Sequence, residues 1–450
     1  MDDATFSRRR LLRTGSRALA SASLLGGGAA PIAASATADT EAGAAVDGVT
    51  VATQNLGLGA DFLSIARADT DASIPERVGS LYAEVRDGRP EARMGAVADA
   101  LARTKPDVVG LQEAAIVRRG PRSGNVPEDP DAEDVVVDFL AALEAALEER
   151  GAPYSPIAVA TNADLEFPGR VGDDAIDVRL TDRDVILVRE DSGVSVGETR
   201  TAIYDESLTL PIGAERTVEI ERGYALATLR AEARPMTVVN THLEAGLESI
   251  RAAQATELAD ALSDVSGPVV LLGDLNDGPS GAEPDDGTAD ESEGAYETLT
   301  ATLSDAVDGD VGGTCCRPAS FRPPDENGLT RRIDHVLVDG FERTDSRRLG
   351  VETFATDDGT ELWPSDHAGV LVELSTASDE PTTRESPSSG SNRTISGQPG
   401  ESTEPTGGPA DSEGTSTATD TPGFGVGTAA TALVGVAVGA RLRQWSRRRR

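Results

Sequence analysis

Between residues 46 and 376, short apolar runs recur, and many of them stop in polar or charged residues. In PVVLLGDLNDG, Val269 to Leu272 are uniformly apolar, the pattern of a strand buried on both faces, and the run ends in Gly273, Asp274, Asn276 and Asp277. Such a cluster belongs at a strand's carboxyl end, where the loops of an α/β sheet carry exposed side chains on a rigid base. GVTVATQNLGLG places Asn55 just after a strand of Val49, Val51 and Thr53. RMGAVADALARTKPDVVGLQEA predicts an amphipathic helix over 93–104, then a strand from Val108 to Leu111 that ends at Glu113. VVVDFLAALEAALEERG reads as a second helix, with Gly151 as its stop. DRDVILVRED, YALATLR and PMTVVNTHLEAG read as strands, the last ending in Asn240, Thr241 and His242. A helix over 249–263 leads into the Val269 strand. After an acidic insertion and the segment 295–314, TRRIDHVLVDG carries Asp334 into a strand, and WPSDHAGVLVEL puts Asp366 and His367 in front of the last one. Helix followed by strand is an α/β rhythm.

The ends differ from this middle. The chain has 450 residues, but neither end has a globular composition, which leaves one domain of about 330 residues, ample for a core. At the start, SRRRLLRTGSRALASASLLGGGAAPIAASA joins a basic region headed by Ser7, Arg8 and Arg9 to a mildly apolar stretch, with Ala34, Ser35 and Ala36 as a cleavage site. It resembles a twin-arginine export signal, expected over 1–38. From Ala377 to Thr421 the chain is Ser/Thr/Pro/Glu/Gly-rich and too poor in large apolar residues to form a core, so it reads as a disordered stalk. Over 422–450, the apolar run from Gly425 to Ala440 has marginal spanning length and is closed by an arginine-rich tail, the pattern of a membrane anchor with its arginines inside. Pro422, Gly423 and Phe424 ahead of it resemble the haloarchaeal PGF-type sorting signal, which implies removal of the helix and transfer to a lipid anchor. The expected location is the cell surface, held by membrane or lipid.

Charge changes the picture less than it first suggests. The net charge is −36, with 77 acidic against 41 basic residues, and Lys105 is the only lysine, a halophile-like balance. Such a surface repels polyanions at low salt, but at molar salt the Debye length is about 3 Å and the repulsion largely disappears. A nucleic-acid substrate therefore stays open.

The candidate chemistry gathers at the ends of the apolar runs. All three histidines, His242, His335 and His367, lie in strand-edge motifs. Glu, Asp and Asn oxygens form a hard donor set suited to Mg²⁺ or Mn²⁺ and not to structural zinc. Cys315 and Cys316 are adjacent and have no partner pair, which leaves a vicinal disulfide or two buried thiols, the thiols being preferred. Magnesium commonly binds through one or two carboxylates plus a substrate phosphate, so Glu113 with Asn55 and Asp366 suffices. Phosphoester hydrolysis suits such a site, since it needs a cation for the developing charge, a base for water and an acid or cation near the phosphate.

The order of motifs resembles that of the metal-dependent endonuclease/exonuclease/phosphatase superfamily, with its pancreatic-deoxyribonuclease-like fold. The matching stretches are TQNL (53–56), LQEA (111–114), NTHLE (240–244), GDLN (273–276), RIDHV (332–336) and SDH (365–367), spread between Val49 and Leu374. The resemblance implies a four-layer α/β/β/α sandwich over 46–376, two packed mixed β-sheets flanked by helices. It implies Glu113 as principal metal ligand, with Asn55 and Asp366 completing or supporting the site. Asp274 would orient or deprotonate the attacking water, and Asn276 would hold a phosphate oxygen. His367, oriented by Asp334, would stabilise charge on the phosphorane, and His242 would contact the phosphate or assist the leaving oxygen. These roles suit the residue types: a histidine beside a carboxylate keeps a defined tautomer and can be held protonated. Asn bonds a phosphate oxygen without adding negative charge.

The chain departs from the pattern at Gln54, where the family often has Trp, and at His335, where Tyr or Phe is common and which is expected to pack. Asp182, Arg183 and Asp184 are divided between reaching the site and forming a solvated cluster, and Asp277 is expected to be a turn residue. A nuclease wants an arginine-lined groove, for which Arg118, Arg119, Arg122, Arg331 and Arg332 are candidates, whereas the insertion AEPDDGTADESEG would crowd a duplex. The expectation is an exported, surface-tethered phosphoesterase with a lean to phosphodiesters, nucleic acid among them. Hydrolysis of small or lipid phosphates, or non-catalytic binding on the same fold, are the alternatives, and no protein partner is implied.

Overall fold

The computed structural model describes residues 48–67, 73–122, 130–212, 216–231, 234–279, 294–307, 309–323 and 328–376. The expected export signal, stalk and C-terminal anchor, and nearly all of the acidic insertion, lie outside the described residues. Among the described residues no helix is long and apolar enough to cross a membrane.

The chain opens with β1 (Gly48–Asn55), a 3₁₀ turn over Phe62–Arg67 and α1 (Ile74–Asp87). α2 (Pro90–Thr104) begins three residues before the expected start, because Pro90 suits a first helical turn that needs no N–H. β2 (Val108–Gln112), β3 (Ile116–Pro121), β4 (Asp134–Asp138) and α3 (Phe139–Glu149) follow. The single helix expected from VVVDFLAALEAALEERG is thus divided. The β-branched Val135 and Val137 pair with β3, and Asp138 caps α3 by accepting from the Ala141 N–H at 3.2 Å. β5 (Tyr154–Val171) and β6 (Asp174–Arg189) form a long hairpin whose last half contains the expected DRDVILVR strand. Then come β7 (Ser195–Ile203), the paired β8 (Leu208–Ile212) and β9 (Arg216–Ile220), β10 (Gly223–Ala231), β11 (Arg234–His242), α4 (Glu248–Ser263) and β12 (Val269–Asp274). The chain ends with α5 (Ala295–Thr300), β13 (Ser304–Asp305), β14 (Asp334–Asp339), β15 (Phe341–Leu349), the short pair β16 (Phe354–Ala355) and β17 (Glu361–Leu362), and β18 (Gly369–Thr376).

Two mixed sheets result. One runs β15-β18-β1-β2-β6-β3-β4, with β5 also on β6, and the other runs β13-β14-β12-β11-β10-β7. Each contains one parallel pair, β1 with β2 and β11 with β12, joined by the helical crossovers that parallel strands require. Each parallel pair is flanked by an antiparallel late strand, β18 on β1 and β14 on β12. The ends of β1, β2, β11 and β12 and the starts of β14 and β18 therefore bring their motifs together at one edge of the sandwich.

Mainly short or β-branched side chains fill the space between the sheets, among them Val51, Val108, Ile186, Val238, Val270, Val336 and Val372. Helix residues such as Leu81, Met94, Leu101 and Leu143 cover the outside of the first sheet, and Leu258 and Leu299 cover the second. The layers are helix, sheet, sheet, helix, as the motif order implies. One polar bridge crosses the middle: Asn240 Nδ2 donates to the carbonyls of Leu111 (2.8 Å) and Val185 (3.1 Å), while its Oδ1 accepts from Gln112 Nε2 (2.6 Å). Gly110 makes room for it, since a Cβ there would lie 2.5 Å from Asn240 Oδ1.

Candidate active site

Two of the expected site residues sit in left-handed backbone at the ends of strands, Glu113 at φ 54° and Asn276 at φ 52°. Non-glycine residues rarely adopt this conformation, and here it turns each strand end sharply so that a polar side chain faces the sheet edge. Gly57, at φ 69°, permits a third close turn: a Cβ there would lie 2.3 Å from Asp366 Oδ1.

Asn55 lies at the centre, fully buried. Its Nδ2 donates to Glu113 Oε1 (3.3 Å) and Asp274 Oδ2 (3.0 Å), and its Oδ1 accepts from the Gly57 N–H (2.9 Å). Asn55 thus bridges the two carboxylates. The Leu58 N–H donates to Glu113 Oε2. Asn276 N–H donates to Asp274 Oδ1 (2.9 Å), and its Nδ2 donates to the Leu243 carbonyl (2.9 Å).

His367 and His242 are shifted in opposite directions by their surroundings. His367 Nδ1 lies 2.9 Å from Asp334 Oδ2 and 3.7 Å from Asp274 Oδ2. Burial opposes its protonation, but Asp334, Asp274 and Asp366 together hold the imidazole well above its ordinary pKa. His242 Nε2 lies 3.6 Å from Asp274 Oδ2, and its Nδ1 lies 3.1 Å from an Arg222 guanidinium nitrogen. Burial, with Arg222 and His367, keeps it well below the ordinary value. Atoms of Asp274, Asp334 and His367 converge within 4.8 Å of one another. Burial and Asp334 push Asp274 up to about 6.

Residues 81–367 match the sequence model of the Endonuclease/Exonuclease/phosphatase family. The chain belongs to that family. No curated protein matches the sequence. Among solved structures, it is similar to an endonuclease/exonuclease/phosphatase family protein from Bacteroides thetaiotaomicron, at 18% identity and a TM-score of 0.43 over 73% of this chain and 97% of that one. It is also similar to the mannosyl-6-phosphatase of B. thetaiotaomicron, at 19% identity and a TM-score of 0.42 over 72% and 99%. A third is D. rerio TDP2 complexed with a single-strand DNA product, at 15% identity and a TM-score of 0.40 over 73% and 99%.

The donor set suits the divalent metal on which this family of phosphoester hydrolases generally depends. Burial, then Asp366, then Asp182 push Glu113 up to about 7; the part due to the neighbouring carboxylates is repulsion that a bound divalent cation would relieve. The side-chain oxygens of the expected ligands, Glu113, Asn55 and Asp366, are hard donors of the kind Mg²⁺ or Mn²⁺ prefers.

The site also rests on residues that sequence reading did not assign to it. Arg93, fully buried, donates to the carbonyls of Gly88 (2.9 Å), Leu56 (2.7 Å), Pro364 (3.0 Å) and Gly57 (2.8 Å), and its guanidinium stacks 3.7 Å over Phe321. Arg317 ties the other side of the SDH loop, donating to the carbonyls of Ser365 (2.9 Å) and His367 (3.2 Å). Ser365 Oγ in turn donates to the Asn55 carbonyl (2.8 Å). In sequence Arg93 resembles any charged helix residue, and only its place beneath two loops sets it apart. The DRD stretch is not a solvated cluster: Arg183 bonds the Ala114 carbonyl (2.7 Å) and Asp138, Asp182 meets Arg222 at 3.2 Å, and Asp184 is buried.

His335 packs 4.8 Å from the Tyr296 ring with Nε2 on the Asp277 carbonyl (2.9 Å), and Asp277 accepts from the Tyr296 N–H (3.0 Å) at the start of α5. The preference for two thiols is corrected: Cys315 and Cys316 form a vicinal disulfide, with Cys315 buried and Cys316 exposed. Cys316 Sγ lies 3.9 Å from His367 Nε2.

Proposed function

We propose that this protein is an exported, surface-tethered phosphoesterase that hydrolyses phosphodiester bonds with Mg²⁺ or Mn²⁺. The observation that carries the reading is the buried group around Asp274, with His367 Nδ1 at 3.7 Å, His242 Nε2 at 3.6 Å and the Asn55 amide at 3.0 Å on one oxygen. When bound through Glu113 and Asp366, with Asn55 in support, the metal supplies charge neutralisation at the phosphate. Asp274, pushed up to about 6, is suited to take a proton from the attacking water near neutral pH. Its two oxygens are fixed by the Asn276 N–H and Asn55 Nδ2. His367, held protonated against Asp334, offers positive charge to the phosphorane as the ester bond breaks. His242 faces the same space from the end of β11, beside Asp274 on the neighbouring strand. The twin-arginine-like start and the anchor-like end support export and tethering.

A second reading, hydrolysis of small or lipid phosphates, is favoured by one feature of the rim. Two of the arginines that a polynucleotide backbone would use are paired with acids, Arg119 with Asp134 (2.8 Å) and Arg332 with Asp305 (2.7 Å). The test is hydrolysis at molar salt with Mg²⁺ or Mn²⁺ and an EDTA control, offering plasmid DNA, bis-nitrophenyl phosphate and nitrophenyl phosphate. EDTA-sensitive cleavage of the diesters, lost by at least about a hundredfold in Asp274→Ala and His367→Ala, is the expected result. Turnover of the monoester alone moves the protein to the phosphatase reading. Activity unchanged in both folded variants overturns the site.

A further inference from the structure

Arg222 sits in the turn between β9 and β10, with its side chain only 12% exposed. One guanidinium nitrogen lies 3.1 Å from His242 Nδ1 and 3.2 Å from Asp182 Oδ2, and Nε lies 3.9 Å from Glu244 Oε2. A guanidinium has only donors. The Nδ1 that faces it must therefore present a lone pair, and a neutral imidazole in that state carries its single proton on Nε2. Nε2 is the nitrogen directed at Asp274, 3.6 Å from its Oδ2. His367 is arranged the other way, with its Nδ1 against the Asp334 carboxylate. The site holds one histidine against an arginine and the other against an acid.

We infer that Arg222 is a positioning residue that locks His242 as its neutral Nε2–H tautomer, with Asp182 and Glu244 holding the guanidinium, so that His242 serves as a fixed hydrogen-bond donor on the Asp274 side of the site. The tautomer follows from the contacts themselves, whereas its catalytic use rests on the phosphoesterase reading. Arg222→Met removes the donor that selects the tautomer and keeps the side chain's bulk. Arg222→Lys keeps a positive donor.

The chain's three histidines make the direct test practicable. In the full chain labelled with ¹⁵N-histidine, two-bond ¹H–¹⁵N correlation spectra distinguish the two neutral tautomers and the cation, and the His242 signals are those lost in His242→Gln. The expected result is a pure Nε2–H tautomer for His242 at neutral pH. In Arg222→Met it gives way to a tautomer mixture or the cation, and in Arg222→Lys the Nε2–H form largely returns. On bis-nitrophenyl phosphate, Arg222→Met is expected to lower kcat at least about tenfold with a smaller change in KM. Adding it to His242→Gln should cost little further, because the two residues act as one unit. An Nδ1–H or cationic His242 in the unaltered protein, or an Nε2–H signal that survives Arg222→Met, overturns the inference. So do effects of the two substitutions that multiply. A protein that turns over none of the esters but shows the tautomer change refutes the phosphoesterase reading and leaves the lock established.

Discussion

At the scale of single residues, burial decides what a carboxyl group does. Asp184 stands two positions from Asp182, and burial, then the Asp182 charge, holds its pKa well above the ordinary aspartate value despite the Asn162 amide and Arg222. A carboxyl with a raised folded pKa binds more protons in the native than in the unfolded state, so stability falls as pH rises from the unfolded value of about 4 toward the folded one. Asp184→Asn removes that dependence. The variant should match the parent at about pH 4 and exceed it by at least about 1 kcal/mol at about pH 8, read from denaturant unfolding at molar salt. Equal gaps at both pH values would show that Asp184 is ionised in the fold.

Single elements position the chemistry through side chains they bury. α2 carries none of the expected site residues, yet its Arg93 satisfies four carbonyls in the loop after β1, the α1–α2 turn and the SDH loop. Those loops hold Gly57 and Asp366. Arg93→Met leaves the carbonyls without donors and takes away the cation beneath the Phe321 ring, so unfolding free energy should drop by about 3–5 kcal/mol. Mn²⁺ affinity measured by calorimetry on the folded fraction should fall with it if the metal binds as proposed, because Asp366, a proposed ligand, loses its support. A stable variant with parental affinity would place the rigidity of these loops elsewhere, with Arg317 the next residue to test. β12 works by register, placing Asp274 opposite His242 on one side and Asp334 on the other.

For the whole molecule, charge is the governing quantity. A net charge of −36 sets the acidic surface against itself at low ionic strength, and molar salt shortens the range of that repulsion to about 3 Å. The thermal midpoint should therefore rise as KCl goes from about 0.1 to about 3 M, and cleavage of a polyanion should gain more from salt than cleavage of a small ester. A midpoint indifferent to salt would mean that the surface acids are already balanced by local pairs such as Arg89 with Asp358 and Arg150 with Asp99.

The apolar runs alone determined β1, β2, β10 to β12, β14, β18 and α4 to within a few residues, because a buried element leaves its period in the side chains it hides. They did not disclose α1, β5, where Pro156 and Pro168 interrupt the run, the first half of β6, or β7, whose exposed face carries little apolar signal. The ordered motifs likewise marked Glu113, Asp274, Asn276, Asp334 and His367, since a polar cluster that cuts off an apolar run is legible locally. Only the tertiary structure decided what these residues meet. Ser365 reaches Asn55 across 310 positions, Arg93 crosses to Pro364, and Arg222 faces His242 from a neighbouring strand turn. Such contacts come from strand order and register, which depend on how all the buried faces pack at once, and no local stretch of sequence carries that sum.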